Sequence, residues 1–285
     1  MINTDTVVNS DITISAFKNF NETPLAAASV GQVHLAELAD GQKVVVKVRR
    51  PRIMEIATRE IAGLLAASSK EPAAHELLKK VSQTVLEELN FRNEARNVTM
   101  GIAYERPTLG ISIAGQVAGF DAREDVLISK LAPGTRISKG IATAGDAAIR
   151  AKAVAALLDT WFDEVLFGRG FFHGDLHPGN IYFEATPGSA PGYRLTLIDF
   201  GNAGVLSLDE RRAFLELVIA AQTPRPDRVL EIFGRLGRVP PEKRELLTAA
   251  FAHIYASESD ITPRGVDRIE IPKPPYTFDR SAILE

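Results

Sequence analysis

The sequence predicts an α+β fold in which strands and one long helix occupy about the first 130 residues and helices dominate the rest. Three observations predict it. Two β-branched runs, Val30–Leu38 and Lys43–Arg49, are separated by Ala39-Asp40-Gly41-Gln42, and Asp-Gly between such runs signals a hairpin. The breaker Pro133-Gly134 closes the strand-rich region. Beyond it, apolar residues mostly recur at helical spacing.

Taken in order, Pro51 ends the second strand, and Glu55–Ser68 and Glu76–Met100 read as helices. The second helix carries Val81, Val85 and Leu89 at spacings of four. Ile111–Val117 and Asp125–Leu131 are expected strands. Residues 1–130 therefore form a small mixed region, and 131–285 a mostly helical one. In the latter, Ala151–Phe167 places Val154, Leu157, Leu158, Trp161 and Val165 on one stripe, with Gly168 as its stop. Two short apolar stretches follow, Asn180–Phe183 and Tyr193–Ile198. Ser207 and Glu210 make a capping box for a helix over Leu208–Ala221. A further helix is expected from Pro241 to about Ala256, and the proline-rich stretch Pro263–Pro275 is expected to be extended.

Composition narrows the function classes. A hydrophobic fraction of 45% and a charged fraction of 24% belong to a globular protein. With a net charge of −3 no global field draws nucleic acid, and the basic run Lys47–Arg52 reads as a strand and its exit. There is no Cys, which excludes disulfides and thiolate metal sites and fits a reducing compartment. No apolar stretch approaches the ~20 residues that span a bilayer, and Met1–Asp11 lacks signal-peptide character. The expectation is a cytoplasmic protein without a transmembrane segment, with peripheral membrane contact left open.

The chemistry is concentrated in Phe172-His173-Gly174-Asp175-Leu176-His177-Pro178-Gly179-Asn180 and in Leu197-Ile198-Asp199-Phe200-Gly201. Phosphoryl transfer needs a carboxylate near the acceptor hydroxyl and hard oxygen ligands for Mg²⁺ beside the phosphates. Asp175, Asn180 five residues on, and Asp199 in an Asp-Phe-Gly about twenty residues later supply those parts in kinase order. Asp-Phe-Gly alone arises by chance; the pair of motifs is specific. His173 and His177 invite a zinc reading, but Gly174, Pro178 and Gly179 oppose the helix that would align their rings.

Upstream, alternation in Lys43–Arg49 puts Val44, Val46 and Val48 on one face and Val45, Lys47 and Arg49 on the other. A lysine among valines is costly to bury unless paired. Read as an edge residue, Lys47 would reach solvent. Read as the phosphate-holding lysine, it needs a helical carboxylate, for which Glu88 and Glu94 are both candidates.

The segment before the hairpin is Pro24-Leu25-Ala26-Ala27-Ala28-Ser29-Val30-Gly31-Gln32-Val33-His34. It resembles the Ala-rich nucleotide loop of the UbiB/AarF/ADCK family of atypical kinases. Leu89–Asn97, Phe172–Ile181 and Leu197–Gly201 continue the likeness, which spans about Thr23 to Gly237. The resemblance implies a two-lobed, protein-kinase-like fold, with a small mixed N-lobe over 1–130 and a mostly helical C-lobe over 131–285. It implies that ATP and Mg²⁺ bind. Lys47 would contact the phosphates and pair with Glu94, Asp175 would be the catalytic-loop acid, and Asn180 with Asp199 would hold Mg²⁺. Ala26, Ala27, Ala28 and Ser29 would cover the nucleotide, Val45 would roof the adenine, and Leu127–Leu131 would be the inter-lobe hinge, with Lys130 and Leu131 at the nucleotide. Family members are associated with isoprenoid quinone biosynthesis or lipid homeostasis, with isoprenoid or lipid molecules and pathway proteins as the implied partners.

Two departures stand out. The family's Lys-x-Gly-Gln element is absent, and its Glu-x-Asp appears as Glu88-Leu89-Asn90. Together they suggest a more open site. Two other functions compete: a small-molecule phosphotransferase of the aminoglycoside/choline kinase type, and a nucleotide-gated binding module without catalysis. The Ala-rich loop, and Gly204 leading into Val205-Leu206-Ser207 where the phosphotransferases usually carry Gly-Asp-Pro, point away from the first. The complete set of polar groups gives no support to the second.

Overall fold

The computed structural model describes residues 16–27, 30–138, 147–221, 226–236 and 245–249. It divides into a unit ending at Arg212 and a second beginning at Ala213; the 130/131 boundary falls inside the first.

The chain opens with β1 (Asn19–Phe20), β2 (Ala26–Ala27), β3 (Gly31–Glu37) and β4 (Lys43–Arg49). β3 and β4 pair antiparallel from Gly31↔Arg49 to Glu37↔Lys43. Gly41 takes φ 87 at the turn, a conformation that costs glycine little, so the Asp-Gly hairpin forms as read. Three helices follow: α1 (Ile53–Ala67), α2 (Pro72–Glu88) and α3 (Phe91–Gly101). The single helix expected over Glu76–Met100 is thus two. Asn90 is extended (φ −105, ψ 101) and its side chain accepts the Arg92 N–H at 3.1 Å, capping α3. Of the expected stripe only Leu89 is buried; Val81 and Val85 are exposed.

Next come β5 (Ile111–Ile113), β6 (Val126–Lys130) and β7 (Thr135–Arg136). The first sheet runs β1-β3-β4-β6, with β2 also on β3. Val44, Val46 and Val48 pack with Phe17, Val126 and Ile128 on one face, which turns Lys47 to the other. The strand expected over Ile111–Val117 splits between two partners. Its first half is β5; its second half lies along β6, where Val117 N–H donates to Ile128 O and Lys130 N–H to Gly115 O.

The rest of the first unit holds α4 (Ala147–Phe162), a π-helical turn (Asp163–Phe167), β8 (Phe171–His173), β9 (Ile181–Ala185), β10 (Tyr193–Leu197) and β11 (Ala203–Val205). β5 pairs parallel with β10 in a second sheet ordered β5-β10-β9-β7, and β8 pairs with β11. On α4 and its extension Leu157 and Val165 are buried, whereas Val154 and Leu158 of the expected stripe are exposed. Small side chains, Ala153 and Ala156, take the inward positions. α5 (Leu208–Ala221) begins with the expected capping box: Ser207 Oγ lies 2.9 Å from Glu210 Oε2, and Glu210 N–H donates back at 3.3 Å.

In the second unit, the remainder of α5 and α6 (Pro226–Arg235) bury Ala213, Ala220, Val229 and Ile232 together. Residues 245–249 are helical, inside the helix expected from Pro241. The ends of that helix, Met1–Asp11 and the proline-rich stretch lie outside the described residues. Among the described residues no helix is long and apolar enough to cross a membrane.

Candidate functional site

Strand ends bring the polar residues together. Asp175 follows β8, Asn180 precedes β9 and Asp199 follows β10, while Lys47 projects from the face of β4 opposite the valine core. Lys47 Nζ donates to Glu94 Oε2 at 2.7 Å and lies 3.5 Å from Asp199 Oδ1. It also sits 5.1 Å above the Phe91 ring. Glu94 therefore answers the choice left open by the sequence; Glu88, at the end of α2, is exposed.

The electrostatics follow from one buried cation meeting two carboxylates. Burial works against the Lys47 ammonium, but Glu94 and Asp199 together outweigh it and hold its pKa above the ordinary lysine value. Burial pushes the Glu94 carboxyl up to about 7, against the pull of Lys47 and with added repulsion from Asp199. The two shifts are compatible, because a shared cation gains from both anions while a buried anion is only partly compensated. Asp199 itself keeps 41% of its side-chain surface.

Asn180 Nδ2 donates to Asp175 O at 2.9 Å and to Asp175 Oδ2 at 3.2 Å, leaving its own Oδ1 as an acceptor. Both nitrogens of His173 are engaged: Nδ1 accepts the Asp175 N–H at 3.2 Å, so Nε2 carries the proton and donates to Ile198 O at 3.1 Å. His173 thus ties the residue before Asp199 to Asp175 and is not placed to ligate zinc. Burial lowers its pKa and favours this neutral ring. His177 is held separately, its Nδ1 accepting the Gly179 N–H at 2.9 Å.

The sequence reading passed over the residues that seat Asp-Phe-Gly. Phe200 is fully buried, 4.6 Å from the His173 ring. Asn97 Nδ2 donates to Phe200 O at 2.9 Å, and a Cβ on Gly101 would stand 2.8 Å from the Phe200 ring. The Tyr104 hydroxyl donates to Phe171 O and accepts from His173 N–H. The available signal was spacing: Glu94, Asn97, Val98 and Gly101 share one face of α3.

The remaining expected residues are less central. Ala26 and Ala27 pair with Val33 and Gln32 of β3, and Ala28 and Ser29 lie outside the described residues. Gly31 approaches the β4 backbone so closely that a Cβ would lie 2.3 Å from Val48 O. Val45 is half-buried on the Lys47 face, opposite Leu35 and Ser129. The Lys130 side chain is exposed, on the Ile128 face of β6; it and Leu131 border a cavity of about 500 Å³ with residues of β5 and β10.

Residues 8–233 match the model of the ABC1 atypical kinase-like domain. The chain belongs to the ABC1 atypical kinase-like family. Its α+β, protein-kinase-like fold is the one the motif order predicted. A probable protein kinase UbiB of Xylella fastidiosa (strain 9a5c) is 31% identical over 246 residues, 83% of this chain and 44% of that protein. An uncharacterized protein of Mycobacterium tuberculosis (strain ATCC 25618 / H37Rv) is 30% identical over 240 residues, 79% of this chain and 48% of that one. Among solved structures, a Mycobacterium tuberculosis protein in complex with erythromycin is similar at 23% identity and a TM-score of 0.49, covering 84% of this chain and 61% of that one. The chain spans less than half the length of the curated relatives it matches.

Proposed function

We propose that this ABC1-family chain binds ATP with Mg²⁺ between Lys47 and Asp199 and acts as an atypical kinase or ATPase. The observation that carries the reading is the 2.7 Å Lys47–Glu94 ion pair with Asp199 Oδ1 3.5 Å from the same nitrogen. A buried lysine held between two acids is a poor stabilising device, since apolar replacements often do as well. It is a good phosphate site once an anionic ligand arrives.

The donor set suits Mg²⁺. Asp199 offers a partly exposed carboxylate and Asn180 a carbonyl oxygen with no partner among the described residues, and Mg²⁺ takes few protein oxygens beside water and phosphate. When bound, Mg²⁺ would neutralise charge on the β- and γ-phosphate oxygens. Lys47 would hold the phosphates, oriented by Glu94. Asp175, its Oδ2 engaged by Asn180, would present Oδ1 to the proton of the attacking hydroxyl or water. Ala26 to Ser29 would cover the nucleotide, Val45 would roof the adenine, and the backbone at Lys130 and Leu131 would meet its edge.

Resemblance to the UbiB/AarF group supports a role in isoprenoid quinone or lipid metabolism, and the absence of Cys supports a cytoplasmic setting. The test is nucleotide binding with and without Mg²⁺ in wild type and Asp199→Asn. Ligand at 100 times Kd adds about 2.7 kcal/mol to stability. A Mg²⁺-dependent thermal shift is expected in wild type and should largely vanish in the variant; equal shifts with and without metal would remove Asp199 from the ligand set.

A further inference from the structure

A groove of about 720 Å³ opens where β4 leaves its sheet and α1 begins, and it includes none of the residues assigned to the nucleotide. Its volume is that of small-molecule sites. Four arginines line it, Arg49, Arg50, Arg52 and Arg59, against two acids, Glu55 and Asp125. Both acids are already matched. Arg52 holds Glu55 through two hydrogen bonds, each 3.1 Å, and Arg123 Nε lies 4.0 Å from Asp125 Oδ1. Arg49 spends Nη1 on the carbonyls of Leu89 and Glu124, which leaves its charge uncancelled. Arg59 is exposed and makes no hydrogen bond or ion pair among the described residues.

The excess of cations is local, because the chain as a whole carries −3. Anions would be drawn to this groove. Apart from Thr58, its other lining is apolar and includes Val48, Met54 and Ala62. Several guanidinium forks around one point suit a phosphate, which offers three acceptor oxygens and close to two charges, better than a single carboxylate.

We propose that this groove is a second ligand site, taking a phosphate group attached to an apolar body. Arg50 and Arg59 hold the phosphate beside the Arg49 charge, and Met54 and Ala62 contact the apolar part. The site accounts for the basic run Lys47–Arg52, of which the nucleotide cleft uses only Lys47. It stands independently of the proposed nucleotide site.

Octyl phosphate, inorganic phosphate and octanoate are the soluble probes, titrated calorimetrically. Phosphatidylcholine vesicles with and without phosphatidic acid are the membrane probe. Octyl phosphate should bind saturably, more tightly than inorganic phosphate or octanoate, and more weakly as salt rises. Arg59→Ala should weaken it about tenfold, the scale of one charge-assisted contact, with Arg59→Lys intermediate. Ala62→Asp, on the apolar wall, should weaken it independently. Binding of phosphatidic acid vesicles that depends on Arg59 identifies a lipid headgroup as the source; octyl phosphate binding without vesicle binding identifies a soluble phosphate ester. Mg²⁺–nucleotide stabilisation should be unchanged in Arg59→Ala, which separates this outcome from the fate of the nucleotide site. No saturable octyl phosphate binding, or equal binding by wild type, Arg59→Ala and Ala62→Asp, overturns the proposal.

Discussion

Lys47 serves two acids at once, at 2.7 Å and 3.5 Å, so removing either acid has a different consequence. Glu94→Gln leaves a buried ammonium with one carboxylate, the more distant Asp199. A loss of about 3 kcal/mol is expected in urea unfolding, near the lower limit for breaking a buried pair because Asp199 remains. A loss under 1 kcal/mol would mean that Lys47 reaches water. His173 gives a pH signature. Burial holds its folded pKa below the usual histidine value, so between the two values the unfolded chain binds the proton more readily. Its contribution is complete above about pH 6.5 and is lost as pH falls. Glu94 runs the other way: with its folded pKa raised to about 7, its contribution is greatest at low pH and is lost as pH rises through that value. The histidine effect is therefore read as a difference, and His173→Asn should lose less stability than wild type between pH 7 and 5.5. At this scale alternation and motif spacing, which are local, single out Lys47, Asp175, Asn180 and Asp199 in the sequence. It was silent on Asn97 and Tyr104, whose partners lie 103 and 67 residues away.

α3 connects the lysine to Asp-Phe-Gly, carrying Glu94 toward β4 and Asn97 and Gly101 toward Phe200. Gly101→Ala would drive a Cβ to 2.8 Å from a buried ring. Overpacking of this kind costs ~1–3 kcal/mol, and because Asp199 adjoins Phe200 the nucleotide-induced thermal shift should shrink as well. Asn90→Ala should cost ~1 kcal/mol through loss of the cap, while Asn90→Asp should be close to neutral, since both residues cap well. These two variants also explain a misreading. The periodic pattern of Glu76–Met100 hid a break at Asn90, because apolar spacing alone does not reveal a cap inside an otherwise helical run. The α2 and α4 stripes misled for a related reason: Val81, Val85, Val154 and Leu158 have the right spacing, but the partners on the buried side are Leu89, Ala153 and Ala156. Spacing marks an apolar face without saying what covers it. The Asp40-Gly41 hairpin and the Ser207–Glu210 box were legible because each is set by a few neighbouring residues.

For the molecule as a whole, the order of parts along the chain carried the fold. A lysine strand, a glutamate helix, Asp175 with Asn180 and then Asp199 follow one another within residues 8–233, the part of the chain that matches the ABC1 family model. The parallel pairing of β5 with β10 could not be read locally, since it joins strands more than eighty residues apart. The surface charge is likewise a property of the folded chain: arginines 49, 50, 52 and 59 meet in one groove although their run is interrupted in sequence. The most direct measurement of the central assignment is an experimental structure of the chain with Mg²⁺ and a non-hydrolysable ATP analogue. The account expects phosphate oxygens within hydrogen-bonding distance of Lys47 Nζ and the metal bound by Asp199 and Asn180. A nucleotide bound elsewhere, with Lys47 still engaged only by Glu94 and Asp199, would contradict it.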